Sequence, residues 1–431
     1  TEIALAEALA KLLLENGWVD EAYLQQYVSN AADIKKQLET VNLEKAAETT
    51  GLSLELLKKA ARYLGQAKNV AVLLGADLAR SEGAEEKALA VANLAILCGA
   101  LGSASGGVFP LDEKGNIQGL LDMGMASDLL PGGSDYAAAK AGFEQAWGKT
   151  LPDQGRTAQG ILEGIEQGQI KILYLAGTNP LVSYPDSGRW LKALEKVETL
   201  IVQDILATEL TELATVVLPG AADGEKLGSL TSLDHQLSKL GKVREPLGEA
   251  KDDLSIFAAL YQRLVPAGSA DCSLAGVIAE IKELVPGYAP QGACCSGGRC
   301  RPTLREPFRP KEQSLTFSKV KAPPAPKPGL KLLSGKILFH FGTTSTFAEA
   351  NRTVAPSGYL EMNPEDAQSN GLKEGDTVKV SSAVGSAKGL LRLSDQVPAG
   401  LIFAPYHFAE MNIQQVLPSA SNLTPVQVSK A

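Results

Sequence analysis

Between Lys171 and Ser232, three short apolar runs alternate with helical patterns, and no other part of the chain limits the fold as much. Ile172-Leu173-Tyr174-Leu175-Ala176 stops at Gly177-Thr178-Asn179-Pro180. Thr199-Leu200-Ile201-Val202 stops at Gln203-Asp204, and Thr215-Val216-Val217-Leu218 stops at Pro219-Gly220. Apolar runs of this length, each separated from the next by a helix, predict parallel strands buried on both faces. Ligands of such sheets settle beyond the carboxyl ends of the strands. Gly177 to Asn179, Gln203 with Asp204, and Pro219 onwards are therefore expected along one edge. Gly-Thr-Asn-Pro taken alone reads as a turn, since all four residue types favour one.

A chain of 431 residues exceeds one ordinary domain, and about two to four are expected. Its hydrophobic share of 45% and charged share of 21% are those of a soluble globular protein. A net charge of −8 argues against a nucleic-acid surface. Five cysteines, an odd number, favour a reducing compartment over a disulfide framework. The uncharged stretch from Ala88 to Pro110 has the length of a membrane span. Asn93 interrupts it and its second half is rich in Gly and Ser, so it reads as a buried helix followed by a loop. The chain opens at Thr1 on a helical pattern, which leads us to expect a piece of a longer protein.

In chain order, Thr1 is a plausible N-cap for a helix from Ile3 to Glu15, and a second helix starts around Val19. Asn69 to Leu74 reads as a strand ending at Gly75-Ala76-Asp77, Ser81 to Leu97 as a helix, and Gly99 to Pro110 as a loop. A helix from Leu254 to Leu264 is expected to close the α/β region. Composition shifts between Pro266 and Leu330, where a short helix from Leu274 to Leu284 precedes Cys294, Cys295 and Cys300. That cysteine spacing matches neither a paired zinc site nor a ferredoxin run. Arg299, Arg301, Arg305, Arg309 and Lys311 read as a solvated basic tract or a dock for an acidic partner, and residues 322–328 as an extended Pro-rich spacer. In the last hundred residues, Lys336–His340, Gly358–Met362, Thr377–Val380 and Leu401–Ala404 read as strands of an all-β barrel.

Gly177-Thr178-Asn179-Pro180, Gln203-Asp204, Thr208-Glu209, Val216 to Pro219 and Glu225-Lys226-Leu227-Gly228 occur in an order that resembles the molybdopterin oxidoreductase superfamily. Asn116 to Gly119, Asp366-Ala367, Gly371 to Val378 and Asn422-Leu423-Thr424 match further elements of it. That superfamily includes bis-guanine-dinucleotide formate dehydrogenases and the large G-type subunits of NADH-quinone oxidoreductase, respiratory complex I. The resemblance implies an α/β fold with Rossmann-like parallel-sheet domains and a C-terminal β-barrel. The expected divisions are a partial α/β domain over 1–115, a Rossmann-like domain over 116–265, a linker over 266–330 and the barrel over 331–431. Half of the first domain's sheet, and the iron–sulfur ligands of relatives, would lie upstream.

By the same resemblance, Asn179 and Asp204 would line a pocket for the guanosine end of a molybdopterin guanine dinucleotide, with Gly75, Gly177, Thr178, Gln203 and Glu225 as further contacts. The chemistry suits Asp204, because a carboxylate accepts the paired N–H donors of a guanine edge. Thr343, Thr344, His407 and Asn422 would face the pterin, although His407 reads equally as a packed residue in its Pro-Tyr-His-Phe run.

Two departures from the family pattern stand out. The arginine that formate dehydrogenases carry near metal and substrate falls on Asp112, whose carboxylate would repel an anion that a guanidinium grips. A second family arginine falls on Gln236, with Asp234 and His235 beside it. His235 reads as an ordinary polar side chain. These losses favour a scaffold with a vestigial cofactor site, part of a G-type complex I subunit or a close homologue, without catalytic residues or metal ligands of its own. A fragment of a molybdenum or tungsten formate dehydrogenase, or a guanine-nucleotide module without metal, are the alternatives. The implied partners are other subunits of a membrane-associated NADH or formate dehydrogenase. The implied location is cytoplasmic, peripheral to the inner face of the membrane, without direct insertion.

Overall fold

The computed structural model describes residues 1–79, 81, 83–103, 106–112, 114–265, 271–285, 310–321, 328–418 and 423–431. The chain divides into two compact units. One comprises Thr1–Gln118, Thr231–Leu237 and Ala289–Ala325, and the other Gly119–Leu230, Ser238–Tyr288 and Pro326–Ala431.

The first unit is built around helix α1 (Glu2–Glu15), which buries Ile3, Ala6, Ala8, Leu9, Ala10, Leu12 and Leu13. With so many small residues it packs closely against α2 (Ala84–Leu97), contributing to a core that includes Leu57, Leu94, Leu97 and Phe317. Side-chain caps start the shorter helices around them. Asp20 accepts from Tyr23 N–H, Asn42 from Lys45 N–H and Ser53 from Leu56 N–H, each contributing about 1 kcal/mol. Helix α2 begins at Ala84, three residues later than the pattern suggests, after Gly83 in the left-handed region.

The strand read at Asn69 to Leu74 is β1 (Ala71–Leu74), and its partner lies in the stretch expected to be a loop. Residues Gly107–Pro110 form β2, parallel to β1 from Ala71 opposite Gly107 to Leu74 opposite Pro110. Gly106 makes this possible, since a Cβ there would sit 2.5 Å from the Val70 carbonyl oxygen.

Residues 310–321 lie across the helices of this unit as a strap. Leu315 N–H donates to Tyr27 O, and Leu315 O accepts in turn from Ser29 N–H. Asn30 exchanges two hydrogen bonds with the backbone of Phe317, and Asn93 two with that of Ser318. Phe317 is buried between them.

In the second unit, β3 (Ile172–Ala176), β4 (Thr199–Asp204) and β5 (Val216–Pro219) form the expected parallel sheet in that order, with Ile172 opposite Thr199 and Ile201 opposite Val216. Leu173, Leu200 and Val202 pack against Leu162 and Ile165 of the preceding helix and against Trp190 and Leu194. Burial on both faces holds only in part. The central strand β4 is largely covered, but Ile172 is 66% and Val217 47% exposed, because β3 and β5 are the edges of a three-stranded sheet. After β5 come the hairpin strands β6 (Gly228–Thr231) and β7 (Leu237–Leu240), whose tip Thr231–Leu237 is counted with the first unit, and then the helix Asp253–Leu264.

The C-terminal module is one mixed sheet of seven strands: β8 (Lys331–Gly335), β9 (Tyr359–Met362), β10 (Thr377–Ser381), β11 (Ser386–Leu393), β12 (Leu401–Pro405), β13 (Leu423–Pro425) and β14 (Gln427–Lys430). Their spatial order is β13-β8-β12-β9-β11-β10-β14. The two edge strands are consecutive in sequence and joined by the single residue Val426, so the sheet must curl until its edges meet. Alternating residues Leu332, Leu360, Met362, Val378, Val380, Leu391 and Ile402 fill the inside. The strand expected at Lys336 to His340 is displaced. Residues 331–335 pair with β12 instead, and 336–340 turn through a bridge between Ile337 and His340 that leaves Leu338 88% exposed.

The barrel meets the sheet domain just beyond the carboxyl end of β3. Asp186, at φ 54°, aims its N–H at the carbonyls of both Gln414 (2.9 Å) and Leu417 (2.8 Å), and Ser187 Oγ donates to Asn412 Oδ1 at 3.1 Å. Among the described residues, no helix is long and apolar enough to cross a membrane.

Candidate functional site

The carboxyl ends of β3 and β4 bring together Gly177, Thr178, Asn179, Gln203 and Asp204. Gly177 turns the chain at φ 63°, a conformation a β-carbon would strain, and donates its N–H to Gln203 O at 2.8 Å. Asn179, 7% exposed, caps the short helix Pro180–Ser183. Its Oδ1 accepts from Leu181 N–H at 3.0 Å, and its Nδ2 donates to Glu209 Oε1 at 3.0 Å. Both ends of this side chain are spent within the protein, tying the β3 turn to the helix Glu209–Leu213.

Gln203 stands at the centre of a relay invisible in the sequence. Its Oε1 accepts from the Tyr174 hydroxyl and its Nε2 donates to Asp253 Oδ1 at 2.6 Å, while Lys226 Nζ donates to Asp253 Oδ2 at 2.8 Å. Burial, and secondarily the nearby Asp253 carboxylate, push the Tyr174 phenol up from its usual range. The relay anchors the start of the helix Asp253–Leu264 to the sheet. Asp204 accepts at Oδ1 from Ile205 N–H (2.7 Å) and Leu206 N–H (3.4 Å) and stays half-buried.

Glu225, 4% exposed, accepts from Ala222 N–H at Oε2 (2.9 Å) and from Arg244 Nε at Oε1 (2.8 Å), and Arg244 Nη2 adds a second bond to that oxygen. The Ala222 amide and then the guanidinium hold this carboxyl below the ordinary carboxylate range. Sequence reading missed Arg244, which follows the β6–β7 hairpin and does not stand at either family arginine position, Asp112 or Gln236. A recess of about 400 Å³ lies alongside, lined by both signs of charge, including Glu225, Lys226, Lys242, Lys251 and Asp252.

Depression of the Glu225 carboxyl has a consequence for acid stability. The bonds it accepts contribute fully above the unfolded value, about pH 4, and are lost as pH falls through the lower folded value. Glu225→Gln is thus expected to flatten the acid limb of a stability profile while leaving the neutral limb nearly parallel to wild type. Urea midpoints measured from about pH 3 to pH 6 test this; curves parallel throughout would mean that the contacts to Glu225 carry no pH-dependent stability.

The remaining candidates fall elsewhere. Gly75 ends β1 in the first unit, exposed, with open space around it. In the barrel, Thr343 and Thr344 open the 3₁₀ turn Thr343–Phe347, and Thr344 is exposed. His407, 1% exposed, accepts from Ile337 N–H at Nε2 (3.4 Å) and packs beside the Tyr406 ring at 4.4 Å. Asn422 lies outside the described residues, as do Cys294, Cys295 and Cys300. Among the described residues, no group of three or more His, Cys, Asp or Glu is placed to hold a metal ion.

The segments carrying the two family departures share the first unit. Asn116 Oδ1 accepts from Thr231 N–H at 2.8 Å. Asp112 is exposed, while Gln236 lends its carbonyl to Ser232 N–H and the Ser232 hydroxyl. His235 sits at the hairpin tip at φ 59°, its N–H donated to Ser232 O.

A sequence-family model described as molybdopterin oxidoreductase matches residues 6–263, and one described as Molydopterin dinucleotide binding domain matches residues 330–430. The alpha subunit of an NADPH-Fe(3+) oxidoreductase from Geobacter sulfurreducens is 39% identical over the whole of this chain, which covers 50% of that protein. The second G-type subunit of NADH-quinone oxidoreductase from Rhizobium meliloti is 32% identical over 87% of the chain and 44% of its own length. The alpha subunit of an F420-dependent formate dehydrogenase from Methanococcus maripaludis is 28% identical over 95% of the chain and 64% of its own. The chain therefore spans only part of each of these relatives. Among solved structures, acetylene hydratase from Pelobacter acetylenicus superposes with a TM-score of 0.69 over 100% of this chain and 70% of its own, at 16% identity, a likeness of fold alone.

Proposed function

Because this chain belongs to the molybdopterin oxidoreductase family, we propose that it is the C-terminal portion of the large subunit of a multi-subunit NADH- or NADPH-linked oxidoreductase, serving there as scaffold. The G-type subunit of NADH-quinone oxidoreductase is the pattern for that role. One observation carries the reading: polar atoms that a dinucleotide cofactor would need are spent inside the chain. Asn179 and Gln203 have both ends engaged, and Glu225 accepts at both oxygens. Among the described acidic and amide candidates, Asp204 alone keeps an oxygen, Oδ2, outside these bonds. A guanine edge is held best by two carboxylate oxygens accepting in parallel. The residues present fit such a cofactor poorly.

Asp112 and Gln236, standing where the family pattern has arginine, support the same view. The chain as it stands is expected to have no formate-dependent dye reduction. Its partners in this reading are the other subunits of a membrane-associated complex, met on the cytoplasmic face. Similarity to an NADPH-Fe(3+) oxidoreductase subunit favours a pyridine-nucleotide-linked electron-transfer complex over formate oxidation.

Elemental analysis decides among the readings. Protein made in molybdate-replete cells is expected to contain molybdenum and tungsten far below stoichiometry, and no pterin fluorescence after oxidation. Stoichiometric metal with pterin would overturn the scaffold and favour the formate dehydrogenase reading. A guanine nucleotide released on denaturation, without metal, would instead favour a binding module centred on Asp204.

A further inference from the structure

The chain has three histidines, and one of them is buried with both ring nitrogens within hydrogen-bond distance of an oxygen. The His340 ring has no solvent exposure. Its Nδ1 lies 3.0 Å from Ser345 Oγ and its Nε2 2.9 Å from the Ala355 carbonyl oxygen. The Ser345 hydroxyl is itself 2.6 Å from the Gly342 carbonyl oxygen. A hydroxyl has a single proton, and two oxygens at that separation need it between them. Ser345 Oγ therefore turns a lone pair toward His340, and Nδ1 must donate. The Ala355 carbonyl can only accept, so Nε2 must donate as well. An imidazole that donates from both nitrogens is an imidazolium.

The two bonds fasten both ends of one segment. Ser345 lies in the turn Thr343–Phe347, and Ala355 follows the helix Glu349–Val354. The 341–355 loop displays Phe341, Phe347 and Val354, each more than half exposed, with Thr343 and Thr344 ahead of Ser345. We propose that His340 is a buried cationic clamp whose two ring protons hold the 341–355 loop in place, and that loss of either proton releases it. A ring that gives up either proton keeps only one of the two bonds.

Few ionisable groups compete for this role. The 405–408 segment brings His407, its ring centroid 6.0 Å from that of His340, and Tyr406 beside it. The turn Thr343–Phe347 has no ionisable side chain, and the helix Glu349–Val354 carries Glu349 and Arg352, both exposed. Lys336 precedes the turn. The acceptors on the ring itself are neutral oxygens, so the clamp acts through hydrogen bonds to a cation rather than through an ion pair.

The test uses the full chain with ¹⁵N-labelled histidine, in which three rings give three resolvable sets of signals. Long-range ¹H–¹⁵N correlations between about pH 5 and pH 8 report which ring nitrogens carry protons. Amide exchange over 341–355, corrected for intrinsic base catalysis, reports the loop. Both His340 nitrogens are expected to be protonated at the acid end, with protection falling about tenfold, the worth of one charged hydrogen bond, as the second proton leaves. Ser345→Ala removes the Nδ1 acceptor without touching the ring and should abolish that step. A bare His340 nitrogen at the acid end would overturn the proposal, as would the same pH step in Ser345→Ala.

Discussion

Asn93→Ala should cost the helical unit about 3 kcal/mol and free residues 310–321 from it. Asn93 is 6% exposed, and its amide serves both backbone groups of Ser318, accepting at 2.8 Å and donating at 2.7 Å. Alanine would leave a buried N–H and C=O without partners, each costing about 1 to 3 kcal/mol. Asn30 makes the same pair of bonds to Phe317, but it is only half-buried. Water can replace those bonds, so Asn30→Ala should cost about 1 kcal/mol. Urea unfolding of both variants gives the difference, and limited proteolysis should cleave within 310–321 far faster in Asn93→Ala than in wild type. Equal costs for the two alanines would mean that burial does not set the strength of the strap.

Asp186→Pro is the second large effect, at about 4 kcal/mol, from losing an N–H shared by two carbonyls and from a backbone angle proline cannot reach. Asp186 has φ 54°, and its N–H links the sheet domain to residues 412–417 of the barrel. Glycine reaches the same angle without strain, so Asp186→Gly should be neutral or slightly stabilising. The pair of substitutions separates the backbone from the side chain, because both remove the carboxylate. Thermal unfolding that is unchanged in the proline variant would show that the barrel is held by something other than this contact.

Much of the sheet was legible because apolar runs such as Ile172–Ala176 are unbroken and end at residues that favour turns. The partners of those strand ends were not. Gln203 is held by Tyr174 and Asp253, 29 and 50 positions away, and nothing near Gln203 announces either. The strap fails for the same reason on a larger scale, since Asn30 and Phe317 are 287 positions apart. The first barrel strand was misread for a different cause. Ile337, Leu338 and Phe339 are more apolar than Lys331 to Gly335, but pairing with β12 decides the strand, not local propensity. Strand β11 was overlooked because Lys388, Gly389 and Arg392 break its apolar pattern. At Gly389 a Cβ would come 3.1 Å from the Leu360 side chain, closer than ordinary contact.

The single-residue joint at Val426 also sets an order of assembly. Strands β10 and β11 are linked by a short turn in which Ser382 N–H donates to Gly385 O, so this hairpin can form from local contacts. Among the described residues, strands β13 and β14 pair with strands far away in sequence: Leu332 must meet Thr424 on one side while Val378 meets Lys430 on the other. Each of these meetings closes a long loop of chain before any contact rewards it. With only Val426 between them, neither strand can settle without nearly placing the other. Hairpin first and seal last, in one cooperative step, is the route this topology leaves open, and mutations in residues 423–430 should speed unfolding far more than they slow refolding.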